Sequence, residues 1–278
     1  MKHLWTPEDG SITLWEENGK RWAEVHSKMG YPAMYPFYDV SVEKPVKAVL
    51  MDLDGTSIES EPFWVGIMES TIAHLTGNSH FSFEDADLPY VSGHSVSEHL
   101  QYCIRKYCPE KSVEDGRQIY YQITEYEMTK IMEGHGRKDA FVPMDGLKDF
   151  LVELKARKIR IGLVTSGLYQ KAMPELLSAF QAMNLGDPRE FYDTIITAGY
   201  ALGPGRVGTL GELTPKPHPW LYAEAMRIGL GIPFEERCHV LGMEDSSAGV
   251  ISIRLAGFAP IGVEGGNIRQ AGDRKSVV

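Results

Sequence analysis

Residues 46–56, V-K-A-V-L-M-D-L-D-G-T, constrain the fold more than any other part of the chain. Ala48, Val49, Leu50 and Met51 form a short apolar run set off by Pro45, the pattern of a buried strand. The run stops at two carboxylates one residue apart, Asp52 and Asp54, followed by Gly55, which can turn the backbone sharply, and Thr56. Side chains alternate along an extended chain, so both carboxylates are expected on one face. At the carboxyl end of a buried parallel strand they would lie where open α/β sheets bind ligands. Adjacent negative charges repel, and a divalent cation is the usual remedy. A plain strand with an Asp-Gly turn would look similar. The pattern D-x-D-G-T, however, is expected by chance in well under about one in a hundred chains of this length.

The rest of the chain supplies the partners such a strand needs. Apolar runs at 159–164, 194–197, 239–243 and 258–263 alternate with stretches of helical periodicity, which predicts a parallel sheet with right-handed crossovers. Between the first run and these, Phe63, Ile67, Met68, Thr71, Ile72 and Leu75 recur at helical spacing and stop at Gly77. Helical periodicity continues to about residue 140, with no strand alternation. The expected architecture is a doubly wound, Rossmann-like α/β core of residues 46–60 and 141–278, with a mostly helical insertion of 61–140. Residues 1–45 precede it as an N-terminal extension. There, Asn18-Gly19 predicts a hairpin or a turn before a short helix, and 31–38 is expected to be irregular. The glycine-rich stretch 198–214 reads as a loop or small hairpin without an assigned role.

Polar groups of distinct kinds follow the strands: Thr165 and Ser166, then Lys216 within K-P-H-P, then Glu244 and Asp245. In a parallel sheet these fall on the same edge as Asp52 and Asp54 and can converge. A nucleophile, a proton donor, a hard cation and donors for phosphoryl oxygens are what phosphoryl chemistry requires. With a net charge of −10, the chain is not expected to bind nucleic acid, and an anionic substrate would need a local positive site. Cys103, Cys108 and Cys238 show neither metal-ligand spacing nor a disulfide framework. Together with the lack of an apolar leader or a membrane-length segment, this leads us to expect a soluble, cytoplasmic protein with no membrane partner.

The four motifs D-L-D-G-T, V-T-S-G, K-P-H-P and G-M-E-D-S-S-A-G occur in an order that resembles the haloacid dehalogenase superfamily, in its phosphatase and β-phosphoglucomutase-like branch. The resemblance spans about residues 46–263, and the insertion is similar in placement to that family's C1-type cap. It implies that Asp52 is the nucleophile, forming an aspartyl-phosphate, and that Asp54 is the general acid and then the general base. It also implies Mg²⁺ held by Asp52, Asp54 (through its backbone carbonyl), Glu244 and Asp245, and a phosphoryl group bound by Thr165, Ser166 and Lys216. A carboxylate nucleophile is already ionised at neutral pH and needs no separate base. His218 reads as structural and Ser246 as a helix N-cap.

The departures favour hydrolysis. In the stretch 92–98, Val96 stands where the mutase carries a phosphate-binding arginine, and Trp64 falls near its hinge histidine. The expected substrate is a small phosphorylated metabolite, such as a sugar phosphate. The core would treat any phosphate monoester alike, so specificity is expected from the cap, with Trp64, His94 and Ser95 as candidates. Hinges are expected near 57–62 and 137–143. A phosphomutase, and an inactive binding or assembly protein on the same fold, are the alternatives. The sequence leaves the oligomeric state open.

Overall fold

A computed structural model describes residues 1–8, 10–26, 32–91, 96–137, 140–199 and 214–263. In chain order these form β1 (Lys2–Trp5), β2 (Ile12–Glu17), β3 (Lys20–Val25), β4 (Ala33–Pro36), β5 (Ala48–Met51) and β6 (Ile58–Glu59). Helices α1 (Glu61–Thr76), α2 (Leu88–Val91), α3 (Val96–Tyr107) and α4 (Val113–Met132) follow. Then come β7 (Val142–Pro143), α5 (Leu147–Ala156), β8 (Arg160–Val164), α6 (Tyr169–Met183), α7 (Pro188–Phe191) and β9 (Thr194–Ile196). The last elements are α8 (Trp220–Glu224), β10 (Val240–Glu244), α9 (Ser247–Ala256) and β11 (Ala259–Gly262). Within the described residues the chain divides into two compact units. One is Met1–Ser57, Met144–Ala172 and Leu185–Val278; the other is Ile58–Pro143 and Met173–Asn184.

The first unit is built on a five-stranded sheet in the order β11-β10-β5-β8-β9, with every pair parallel. β5 is the middle strand, and all four of its residues are buried, which is why its sequence is an unbroken apolar run. The pairing with β10 continues one step beyond the strand, where the Asp52 N–H donates to Met243 O at 3.0 Å. The sheet, α8 and α9 share a core that includes Leu50, Val164, Tyr222, Met226 and Ile253. The protein is therefore an α/β fold with a parallel sheet flanked by helices, as the strand–helix alternation predicts. The helix expected after K-P-H-P begins as α8 and passes into a wider π turn over Ala225–Gly229.

The N-terminal extension belongs to this unit and forms a second sheet, antiparallel, in the order β1-β2-β3-β4. Asn18 and Gly19 both have positive φ (52° and 72°), the geometry of a two-residue turn between antiparallel strands, so the hairpin alternative holds. Residues 33–36, expected to be irregular, are instead the strand β4, with Ala33 to Pro36 registered against Val25 to Trp22. Pro36 is tolerated because β4 is an edge strand. Ile12, Ala23 and Val25 pack on Leu255, with Ile251 beside them, so α9 is covered by this sheet on one side. Its Ile253 and Ala256 face the parallel sheet on the other.

The second unit contains α1–α4. α1 buries Phe63, Ile67, Met68, Thr71, Ile72 and Leu75 as one stripe and ends at Gly77, whose φ of 69° only glycine adopts without strain. α4 starts in a capping box, with Ser112 and Asp115 bonding each other's backbone N–H at 3.1 Å. β6 and β7 pair antiparallel, Ile58 opposite Pro143 and Glu59 opposite Val142.

Asp87 is fully buried in this unit. Burial opposes its ionisation, but hydrogen bonds from Lys106, Tyr102, Tyr107 and the Glu84 N–H outweigh it and hold its carboxyl below the usual range. A depressed folded-state pKa stabilises above the unfolded value, about 3.9, and the gain is lost as pH falls below it. We therefore expect the melting temperature to fall steeply below about pH 4. In Asp87→Asn it should be lower at neutral pH and less dependent on acid, which calorimetry between neutral and acid pH reads directly. Identical curves for the two proteins would remove Asp87 from this role.

Candidate active site

The parallel sheet brings the ends of β5, β8 and β10 together, and their polar residues meet at its carboxyl edge. Asp52 follows β5 and is buried, and Glu244 and Asp245 close β10, also buried. One carboxylate oxygen from each of the three lies within 4.8 Å of the others. Lys216, only 7% exposed, reaches into this group. Its ammonium donates to Asp52 Oδ1, to Glu244 Oε1 at 2.5 Å and to the Val164 carbonyl at 3.2 Å. Burial opposes the charge on Lys216, but Asp52 and Glu244 more than offset it and its pKa is raised. Burial, and then the Glu244 charge, push the Asp52 pKa well up against the pull of Lys216.

Glu244 is the most heavily engaged of the carboxylates. Oε1 accepts from Lys216 and from the Tyr222 hydroxyl at 3.3 Å. Oε2 accepts from the Asp245 N–H and Ser246 N–H, both at 3.1 Å, and from Ser246 Oγ at 2.9 Å. These bonds fill the lone-pair positions of a carboxylate. Ser246 is also the N-cap of α9, accepting from Gly249 N at 3.1 Å. The Glu244 carboxylate lies so close to this first turn that a Cβ at Gly249 would sit 1.8 Å from Glu244 Cδ. Gly55 has the same kind of role. Its φ is +78°, and a Cβ there would meet Asp245 Oδ2 at 2.3 Å.

The remaining candidates surround this centre. Thr56 Oγ1 donates to Asp245 Oδ1 at 3.2 Å, and Ser57 Oγ donates to the Asp52 carbonyl at 2.5 Å. Thr165, buried at the end of β8, accepts from Gly167 N at 2.9 Å. Ser166 Oγ accepts from the Lys216 N–H at 3.2 Å, which ties the second motif to the third. Asp54 lies near enough to Asp52 to raise its pKa, but its own ion pair is with Lys171, at 3.0 Å. Trp64 belongs to the second unit, where its Nε1 donates to Glu175 Oε1 at 3.2 Å. His94 and Ser95 lie outside the described residues, as does 200–213 of the glycine-rich stretch.

Lys171 and Tyr222 are among the site residues not expected from the sequence. Lys171 occupies the first turn of α6, where the helix dipole disfavours a cation, and that misplacement was the available signal. Tyr222 gave none, because its hydroxyl reaches Glu244 only through tertiary packing.

Among the described residues, Asp52, Asp54, Glu244 and Asp245 meet two ammoniums, Lys171 and Lys216. Asp52, Glu244 and Asp245 form a buried acidic group that could hold a metal ion. The donors are all oxygens, which suits a hard ion such as Mg²⁺. No helix among the described residues is long and apolar enough to cross a membrane.

A family model described as haloacid dehalogenase-like hydrolase matches residues 46–257. Among curated proteins, none matches the sequence. Solved structures are similar in fold. A HAD hydrolase of family IA, variant 3, from Entamoeba histolytica superposes with a TM-score of 0.56 at 20% identity, covering 83% of this chain and 90% of its own. CbbY from Rhodobacter sphaeroides in complex with phosphate gives 0.53 at 22%, covering 80% and 87%. A β-phosphoglucomutase from Clostridium difficile gives 0.51 at 20%, covering 82% and 87%.

Proposed function

Since the chain belongs to the haloacid dehalogenase-like hydrolases, we propose that it hydrolyses a small phosphate monoester, such as a sugar phosphate, with Mg²⁺ as cofactor. The observation that carries this reading is the buried group of Asp52, Glu244 and Asp245 with Lys216 inside it. The CbbY structures, one with phosphate and another with xylulose-(1,5)bisphosphate, are consistent with a phosphorylated ligand.

Asp52 and Asp245, with the Asp54 carbonyl, would hold the cation. Glu244 was also expected as a ligand. As the third member of the buried acidic group it would join them, while also holding Lys216 and, through Ser246, the start of α9. A bound Mg²⁺ offsets the carboxylates' repulsion and the charge of the phosphoryl oxygens.

In the first step an Asp52 oxygen forms a bond to phosphorus while the ester P–O bond breaks, giving an aspartyl-phosphate. Asp54, oriented by Lys171 and in the protonated form that this step requires, gives its proton to the leaving alcohol oxygen. In the second step Asp54 takes a proton from water, the water oxygen attacks phosphorus, and inorganic phosphate leaves Asp52. Lys216 steadies Asp52 and the charge on the transferring group. Thr165, Ser166 and the N–H groups that begin α6 bind the phosphoryl oxygens. Because these residues recognise only the phosphoryl group, we assign the choice among esters to the inserted unit, including Trp64, His94 and Ser95.

Phosphate release from a panel of phosphate monoesters, measured with Mg²⁺ and with chelator, tests the reading. We expect release that needs Mg²⁺, stops on chelation and returns when the ion is restored. A folded wild-type protein that releases no phosphate from any ester with Mg²⁺ present would sink the hydrolase proposal, and mutase turnover would then be assayed.

A further inference from the structure

Tyr35 of the N-terminal sheet meets the segment that carries Lys216. The Tyr35 hydroxyl on β4 lies 2.7 Å from His218 Nδ1, and the rings meet edge to face at 5.8 Å. The Trp220 ring also meets Tyr35 edge to face, 5.9 Å away. His218 is buried, which lowers its pKa. Its backbone carbonyl accepts from Ser252 Oγ of α9 at 2.6 Å. Residue 218 is thus gripped through its ring by the extension and through its backbone by the core.

The segment needs such a grip. Pro215, Pro217 and Pro219 have no N–H, so the loop can make few hydrogen bonds of its own. Lys216 lies among them, and its ammonium must stay between Asp52 and Glu244. β4 in turn is fixed by pairing with β3, whose Ala23 and Val25 pack with Leu255 of α9.

We propose that the N-terminal sheet is a strut for the catalytic lysine, with Tyr35 acting through His218 to position Lys216. This rests on the role given to Lys216 in the proposed hydrolysis. Tyr35 is a positioning residue and touches no reacting atom.

Tyr35→Phe removes the hydroxyl and keeps the ring. Trp15→Phe serves as control, since it removes the 2.9 Å bond from Trp15 Nε1 to Glu24 in the same sheet, away from His218. With a generic phosphate monoester and Mg²⁺, Tyr35→Phe should lower kcat about fivefold, the scale of one neutral hydrogen bond, and leave KM within about twofold. Melting temperature should hardly move, and the control should keep wild-type kcat. Wild-type kcat in Tyr35→Phe, or an equal loss in both variants, would overturn the strut. If the wild type releases no phosphate, the hydrolase reading fails separately, and amide exchange over 214–222 decides the strut. Faster exchange in Tyr35→Phe alone supports it, and unchanged exchange refutes it.

Discussion

Asp52→Asn should lose phosphate release by roughly 10³-fold or more, because an amide cannot replace the carboxylate that attacks phosphorus. The change keeps the side-chain shape. It leaves the N–H donation from Asp52 to Met243 untouched and removes one of three buried carboxylates lying within 4.8 Å of each other. Repulsion among them is a cost to the folded state, so the variant should melt no lower than wild type in the absence of divalent cation. Lost activity with retained stability would mark Asp52 as kept for chemistry. Residual activity near that of wild type would remove the aspartyl-phosphate route, and a large fall in melting temperature would mean the variant reports on folding instead.

The opposite pairing of effects is expected for Lys216→Met. Here activity falls by about 10²–10³-fold through loss of charge stabilisation. Stability falls too, by about 3–5 kcal/mol, because two buried carboxylates lose their shared counter-charge. Urea unfolding with and without Mg²⁺ reads the second effect, and added Mg²⁺ should recover part of it by supplying positive charge. A variant as stable as wild type would show that the ammonium is not needed to hold the carboxylates together.

The parallel sheet and the carboxylate centre were legible because β5, β8 and β10 are apolar runs that lead into polar residues. β5 into Asp52 and β10 into Glu244 are the clearest cases. Backbone pairing then forces those ends to one edge, whatever the packing. What depends on side-chain reach was not legible. The ion-pair partner of Asp54 is Lys171, 117 residues on. β4 was hidden because four residues that include a proline, on a sheet edge, show too little alternation to separate a strand from irregular chain. Tyr35 looked like one aromatic among several in a stretch without chemistry. Its partner His218 is 183 positions away, and no local pattern encodes a contact at that distance.

The central place of β5 also sets an order on synthesis. The nucleophile emerges from the ribosome early, 164 residues before the lysine that neutralises it, and β8 and β10, the neighbours of β5, come later still than β5 itself. Until they arrive, the nascent chain carries an apolar strand with both edges unpaired, the kind of segment that templates aggregation. Contacts of such long sequence separation form slowly. Yield from the cell should therefore respond to translation rate and to chaperone supply more than the stability of the finished protein would suggest.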